Sequence, residues 1–180
     1  TYALVKPLLD ACTSGRYAYQ ASVQGSNGTA FALIALDSGS YHQNAAGRAA
    51  RTALVDLLLK KQMSCGAWGI NYETEERSAD IDITAMVVQS LAPYASRPGV
   101  QTAINNAMDW LSAKFKAGSF RSSETSAQVV VALSTLGHDA ATDPAFVKAN
   151  GVSVLDDLLH YADKTTGGFL HDVGSVNGMS

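Results

Sequence analysis

Four times the chain writes a glycine, one spacer and an aromatic: Gly15-Arg16-Tyr17, Gly66-Ala67-Trp68, Gly118-Ser119-Phe120 and Gly167-Gly168-Phe169. The first three are each followed by a small hydroxyl residue, an alanine and an apolar run ending in leucine. These read Thr29-Ala30-Phe31-Ala32-Leu33-Ile34-Ala35-Leu36, Thr84-Ala85-Met86-Val87-Val88-Gln89-Ser90-Leu91 and Ser126-Ala127-Gln128-Val129-Val130-Val131-Ala132-Leu133. Self-similarity at a period of about 50 residues marks a repeat architecture, in which one unit cannot bury its own apolar face. The units fall at roughly 1–45, 46–98, 99–143 and 144–180, and residues 1–180 read as a single-domain fragment.

Between the turn signals every segment reads as helix. Residues 47–62 carry Ala50, Ala53, Leu54, Leu57 and Leu58 on one stripe, and 100–115 carry Ala103, Ile104, Ala107, Met108 and Leu111. Residues 145–161 repeat the pattern with Val154, Leu155, Leu158 and Leu159. Such stripes belong to amphipathic helices with one wet face. The helices opening near Asn27, Asp80 or Asp82, and Ser122 or Ser123 begin with cap-competent residues and then run apolar or small almost all round, as buried helices do. An amphipathic helix, a glycine–aromatic turn and a buried helix then make one hairpin. Three hairpins are expected at 1–36, 47–94 and 100–136, with half of a fourth, giving an outer row of amphipathic helices and an inner row of buried ones.

Composition narrows the partners. The formal net charge is −3 and no basic run occurs, which disfavours nucleic acid. No stretch approaches the roughly 20 apolar residues that span a bilayer. Charged residues make up 16%, below the usual quarter, and alanine, serine and threonine take their place, a balance that fits a secreted protein. The chain opens at Thr1 in mid-phrase, so a leader or upstream domain is expected before it, and Asn177-Gly178-Met179-Ser180 read as the start of a further helix. Cys12 and Cys65 belong to no C-x-x-C pair and either stay as buried thiols or join to each other. The histidines His42, His138, His160 and His171 lack metal-ligand spacing, so no metal site is expected.

Gln62-Met63-Ser64-Cys65-Gly66-Ala67-Trp68 resembles the Q-x-x-x-G-x-W repeat of squalene and oxidosqualene cyclases. Asp80-Ile81-Asp82-Ile83-Thr84-Ala85 is similar to the D-x-D-D-T-A acid motif of class II terpene cyclases, with Ile83 in place of the last aspartate. The longer run 80–94, together with Ser123-Glu124-Thr125-Ser126-Ala127-Gln128, resembles bacterial secreted or surface proteins of the terpenoid cyclase/protein prenyltransferase-like superfamily. That group is akin to the helical domain of the cobalamin carriers transcobalamin and intrinsic factor. The resemblance covers essentially the whole chain. It implies an all-α fold, a partial α/α toroid holding about three and a half of six hairpins. It is less specific for function, because one fold hosts many sites.

The resemblance implies two functions. One is a binding module, secreted or at the cell surface, whose concave face holds a small molecule such as a corrinoid. The other is part of a class II cyclase in which Asp82, the middle aspartate, is the general acid. A buried carboxyl beside another carboxyl has the raised pKa that role needs. The plainer reading of Asp80 or Asp82 is a helix cap that accepts backbone N–H bonds from the first turn, and a polar ligand contact is the next. Trp68 either walls a ligand cavity or plugs the gap between hairpins. Asn71 and Tyr72 lie in a loop where ligands enter a ring. Glu124 and Gln128 share a helix face and either meet a ligand or satisfy a neighbouring hairpin. Glu73, Glu75 and Glu76 read as a solvated loop.

Three observations favour binding: Ile83 in the acid motif, the longer match to the carriers, and an aromatic content of only 8% where cation chemistry uses aromatic faces. A ligand-free adhesion or assembly scaffold is the third reading. The zinc set of prenyltransferases, the C-G-E-Q thioester, a G-x-S-x-G elbow, a phosphate loop and a zincin helix are all missing. An incomplete ring leaves apolar flanks, on Ala3, Leu4, Leu8 and Leu9 at one end and Val154, Leu155 and Leu158 at the other. A homodimer, or contact with the rest of the toroid, is therefore expected.

Overall fold

The computed structural model describes residues 7, 10, 11, 14, 16–39 and 43–172. Gly15, Cys12, the apolar residues Ala3, Leu4, Leu8 and Leu9, the side chain of Tyr17 and residues 177–180 lie outside them. Among the described residues the chain is all helical, without strands. Its helices are α1 (Tyr17–Ser22), α2 (Gly25–Asp37), α3 (Ala45–Lys61), α4 (Ile81–Leu91), α5 (Val100–Lys116), α6 (Ser123–Thr135) and α7 (Val154–Leu159). Isolated antiparallel bridges, Trp68 with Asp80, Val147 with Ser153 and Ala162 with Phe169, tie loops together without making a sheet.

The glycine turns share one backbone shape. Gly66, Gly118 and Gly167 have φ of 92°, 71° and 74°, the left-handed region that glycine enters without a Cβ penalty. The aromatics that follow differ in burial: Trp68 is fully buried, Phe120 is 7% exposed and Phe169 is 51% exposed. In the first unit Tyr17 opens a helix instead.

The inner and outer rows are as unequal as their sequences. Helix α4 buries seven of its 11 residues, whereas α3 buries five of 17 and α5 six of 17. On α3 the buried stripe is Gly47, Ala50, Leu54, Val55 and Leu58, with Ala53 exposed, so the face is turned slightly from the expected one. Each fully buried leucine of this core contributes about 1.5–3 kcal/mol. Inner helices pack on one another in order, α2 on α4 and α4 on α6.

The pairing of outer with inner helices departs from the expected hairpins. Helix α3 packs most closely on α2, α5 on α4 and α7 on α6, so each inner helix pairs with the outer helix that follows it. The connections explain this. A short link joins α4 to α5 and favours antiparallel neighbours, while the longer segment from α3 to α4 carries the glycine turn and its loop across to the next unit.

Two further expectations give way. Residues 145–161 do not form one helix: Pro144–Phe146 is a 3-10 turn, residues 147–153 fold back on themselves, and only Val154–Leu159 is α-helical. Asp143 accepts the Ala145 N–H at 2.8 Å, Gly151 sits at φ 84°, and Ser153 with Asp156 forms a reciprocal capping box that restarts the helix. Asn27 is not a cap either. Helix α2 begins at Gly25 without a side-chain cap, and the Ser26 N–H donates to the Ile70 carbonyl of the next unit at 3.0 Å.

Candidate functional site

The repeated phrase fixes a register across the three inner helices. Its first position is always a buried hydroxyl, Thr29, Thr84 or Ser126, each 0% exposed. Two residues after it come Phe31, Met86 and Gln128, and three further on Ile34, Gln89 and Val131. Four beyond those are Ser38, Pro93 and Thr135. Spacings of three and four place these on one side of each helix. This side stays open: Phe31 is 50% and Val131 48% exposed, while Ile34, Met86, Gln89 and Gln128 are half-buried. A groove of about 340 Å³ runs across all three helices, lined by Ile34, Ser38, Gln89, Pro93, Val131 and Thr135. Gln89 donates from Nε2 to Gln128 Oε1 at 2.9 Å and to the Gln128 carbonyl at 3.1 Å, so Gln128 links α6 to α4 on this open side.

One turn towards the helix N-termini the same side carries Asn27, Asp82 and Glu124. Asp80 is the cap of α4, its Oδ1 accepting the Ile83 N–H at 2.9 Å. Asp82 lies in the first turn, half-buried, where Oδ1 is buried without a hydrogen-bond partner. Asn27 Oδ1, in the equivalent position of α2, is likewise buried without a partner. Burial lifts the Asp82 pKa above its ordinary value; a hydrogen bond from Thr125 works against this, and the negative charges of Asp80 and Glu124 add to the rise. Glu124 moves the other way. It is exposed, and its own backbone N–H and then His171, with Nδ1 at 2.9 Å from Oε2, hold its carboxyl below the ordinary range.

The entry loop is tied down. Tyr72, at φ 62°, hydrogen-bonds through its phenol to the Thr29 hydroxyl, and Lys61 Nζ lies 5.4 Å from its ring centre. Burial raises the Tyr72 pKa, against the lowering effect of that hydroxyl. Asn71 is exposed and folds onto Glu73, its N–H donating to Oε2 at 2.8 Å. The fourth unit repeats the docking: Ser123 N–H donates to the His171 carbonyl at 3.2 Å, and His171 follows Phe169 by two residues as Ile70 follows Trp68. In the third unit the chain runs from Phe120 straight into Ser122, the cap of α6, and among the described residues no such bond reaches α4.

Trp68 belongs to the core. Its Nε1–H donates to the Leu58 carbonyl at 2.8 Å and its backbone N–H to Thr84 Oγ1 at 3.0 Å, which leaves no open ring face for a ligand. Of the residues singled out by sequence, Asp80, Asp82 and Glu124 gather at one rim, Gln128 lies on the open side below, and Asn71 and Tyr72 sit over α2. Cys65 is a free thiol. Among the described residues no cluster of His, Cys, Asp or Glu can hold a metal ion, and no helix is long and apolar enough to cross a membrane.

A second cavity contains none of these residues. It measures about 660 Å³ and lies at the opposite end of the inner helices, between α5 and the segment after α6. Its signal in the sequence was Gln101, Asn105 and Asp109, polar residues spaced by four on an otherwise ordinary outer helix. No protein-family model, curated protein or solved structure matches the chain.

Proposed function

We propose that this chain is a small-molecule-binding module, part of a curved α/α ring akin to the helical domain of the cobalamin carriers, and that its ligand rests on the open side of the inner helices. The supporting observation is the groove of about 340 Å³ to which α2, α4 and α6 contribute the same two repeat positions. Mostly apolar pockets with a few fixed polar groups are the usual form of ligand sites. Here Ile34, Pro93 and Val131 supply the apolar wall, and Gln89, oriented by its bond to Gln128, and Asp37 supply polar groups. A corrinoid is the ligand the resemblance favours, and secretion or surface display is the matching location.

Titration with cobalamin and cobinamide, read by absorbance shift, tests the reading in parallel with calorimetry against farnesol. Binding that Val131→Asp abolishes supports it. Failure of all three ligands, or binding indifferent to Val131→Asp, refutes it and leaves the scaffold reading standing.

A cyclase fragment is the second reading, favoured by the raised pKa and unpartnered Oδ1 of Asp82. Isoprenoid cyclisation that Asp82→Asn destroys would establish it. We also propose that Leu159 and Phe169, 54% and 51% exposed, pack on a second copy or on further hairpins of the ring. Light scattering at micromolar concentration reads the first case as a dimer.

A further inference from the structure

The cavity of about 660 Å³ is a second candidate, which meets the groove at Thr135 and extends from there to α5. One wall is α5, which presents Gln101, Asn105 and Asp109 in a row, with Ile104 and Met108 beside them. The facing wall is the end of α6 and the loop beyond it, contributing Thr135, Leu136, His138 and Asp143. Its size falls within the roughly 300–1,000 Å³ of small-molecule sites.

The carboxylates that line it are Asp109 and Asp143, beside the amides of Gln101 and Asn105, where Gln101 Nε2 donates to Asn105 Oδ1 at 2.8 Å. Asp143 is engaged twice, accepting the Ala145 N–H at 2.8 Å on Oδ1 and holding His138 Nδ1 at 2.5 Å on Oδ2. A carboxylate partner requires the proton on Nδ1. Thr135 donates its hydroxyl hydrogen back to the Val131 carbonyl at 2.8 Å, so only its lone pairs face outward. Asp109 is exposed on the rim, and no lysine or arginine lines the cavity. Two helix ends add to the sign. Thr135 and Leu136 are the last residue and the C-cap of α6, and Ala92 and Ala95 bound the turn that closes α4. Helix C-termini carry about half a negative charge each.

We infer that this cleft binds an organic amine: an ammonium head held at Asp109 beside the C-terminal ends of α4 and α6, with an apolar body against Ile104, Met108 and Phe146. Phe146 is only 1% exposed and stacks on Phe115, so the floor of the cleft is fixed by the core. The cleft shares Thr135 and the C-terminal ends of α4 and α6 with the groove proposed above, and it is set apart by the outer helix α5 and the loop after α6.

Methionine-methyl NMR tests this on the intact chain, with 2-naphthylmethylamine, 2-naphthalenemethanol and 2-naphthoate as probes up to millimolar concentration. Met108 reports the cleft, Met86 the open side of the inner helices, and Met63, 5% exposed, the core. The amine should shift Met108 and leave Met86 and Met63 in place, while the naphthoate should shift none of them. Asp109→Asn should weaken the amine about fivefold, the worth of one partly exposed charge pair. Asp109→Lys should lose the amine and gain the naphthoate at the same methyl. Equal binding of amine and naphthoate, shifts confined to Met86, indifference to both Asp109 variants, or no shift from any probe would each overturn the proposal.

Discussion

Replacing Gly66 and Gly118 by alanine, one at a time, separates two reasons for a turn glycine. Both sit at positive φ, 92° and 71°, where an alanine costs about 1–2 kcal/mol. Part of that is returned, about 0.4–1 kcal/mol, because alanine restricts the unfolded chain. At Gly118 nothing lies within 4 Å of an added Cβ, so Gly118→Ala should cost about 1 kcal/mol.

At Gly66 the added Cβ would meet Asn106 of α5, its carbonyl oxygen at 2.6 Å and carbonyl carbon at 2.8 Å. Those are backbone atoms in a helix and have little room to move. The turn cannot retreat freely either, because the Gly66 carbonyl accepts Gln62 Nε2 at 2.7 Å and its N–H donates to Met63 O at 2.9 Å. Overpacking of this kind costs a further 1–3 kcal/mol or so. Gly66→Ala should therefore lose about 2–4 kcal/mol. At about 2–4 °C per kcal/mol for a chain of this size, the melting temperature should fall by about 10 °C, against about 3 °C for Gly118→Ala. Urea unfolding followed by circular dichroism and tryptophan fluorescence measures both. Equal losses would show that α5 does not press on the second turn. No loss at Gly118 would show that its turn is not left-handed.

Thr84→Val keeps the shape of a fully buried side chain but strips the acceptor from the Trp68 N–H, so it should cost about 1–3 kcal/mol in urea midpoint analysis; a neutral result would mean that this N–H finds another partner. Asp80→Ala removes the α4 cap and should cost about 0.5–2 kcal/mol by the same assay, while a silent change would move the cap elsewhere. Asp82→Asn tests the buried carboxyl through pH. With its pKa raised, the protonated acid favours the folded state; that contribution is complete below the ordinary 3.8 and is lost as pH rises through the folded-state value. Asparagine stays neutral throughout, so the variant should gain on the wild type between pH 4 and pH 7 in urea midpoints, and a difference that does not vary with pH would contradict the burial.

What could be read in advance was whatever repeats. The hydroxyl that opens each apolar run, Thr29, Thr84 or Ser126, is buried in all three units. The residues two and five places on face the open side each time. Periodicity determines which side of a helix a residue occupies. It does not determine the partner, because that comes from another unit: Thr29 meets Tyr72, Thr84 meets Trp68 and Asp80, and Ser126 donates to Asp157 at 2.7 Å. Asn27 was misread for the same reason. It looks like a cap only when the next unit's Ile70 carbonyl, which takes the neighbouring Ser26 N–H, is left out of account.

The break within 145–161 had signals of its own in Asn150-Gly151 and Ser153-x-x-Asp156, and an apolar stripe at helical spacing outweighed them. That break also closes the larger cavity. Pro144–Phe146 brings Phe146 under the cleft, and Asp143 fixes His138 at its rim. A ligand held at the cleft would therefore depend on the segment where the chain abandons its period. A ligand on the open side of α2, α4 and α6 would depend on the positions where it keeps that period. The two sites meet at Thr135, so separating them takes substitutions that only one of them uses: Val131→Asp should spare amine binding at the Met108 methyl, and Asp109→Lys should leave the groove intact.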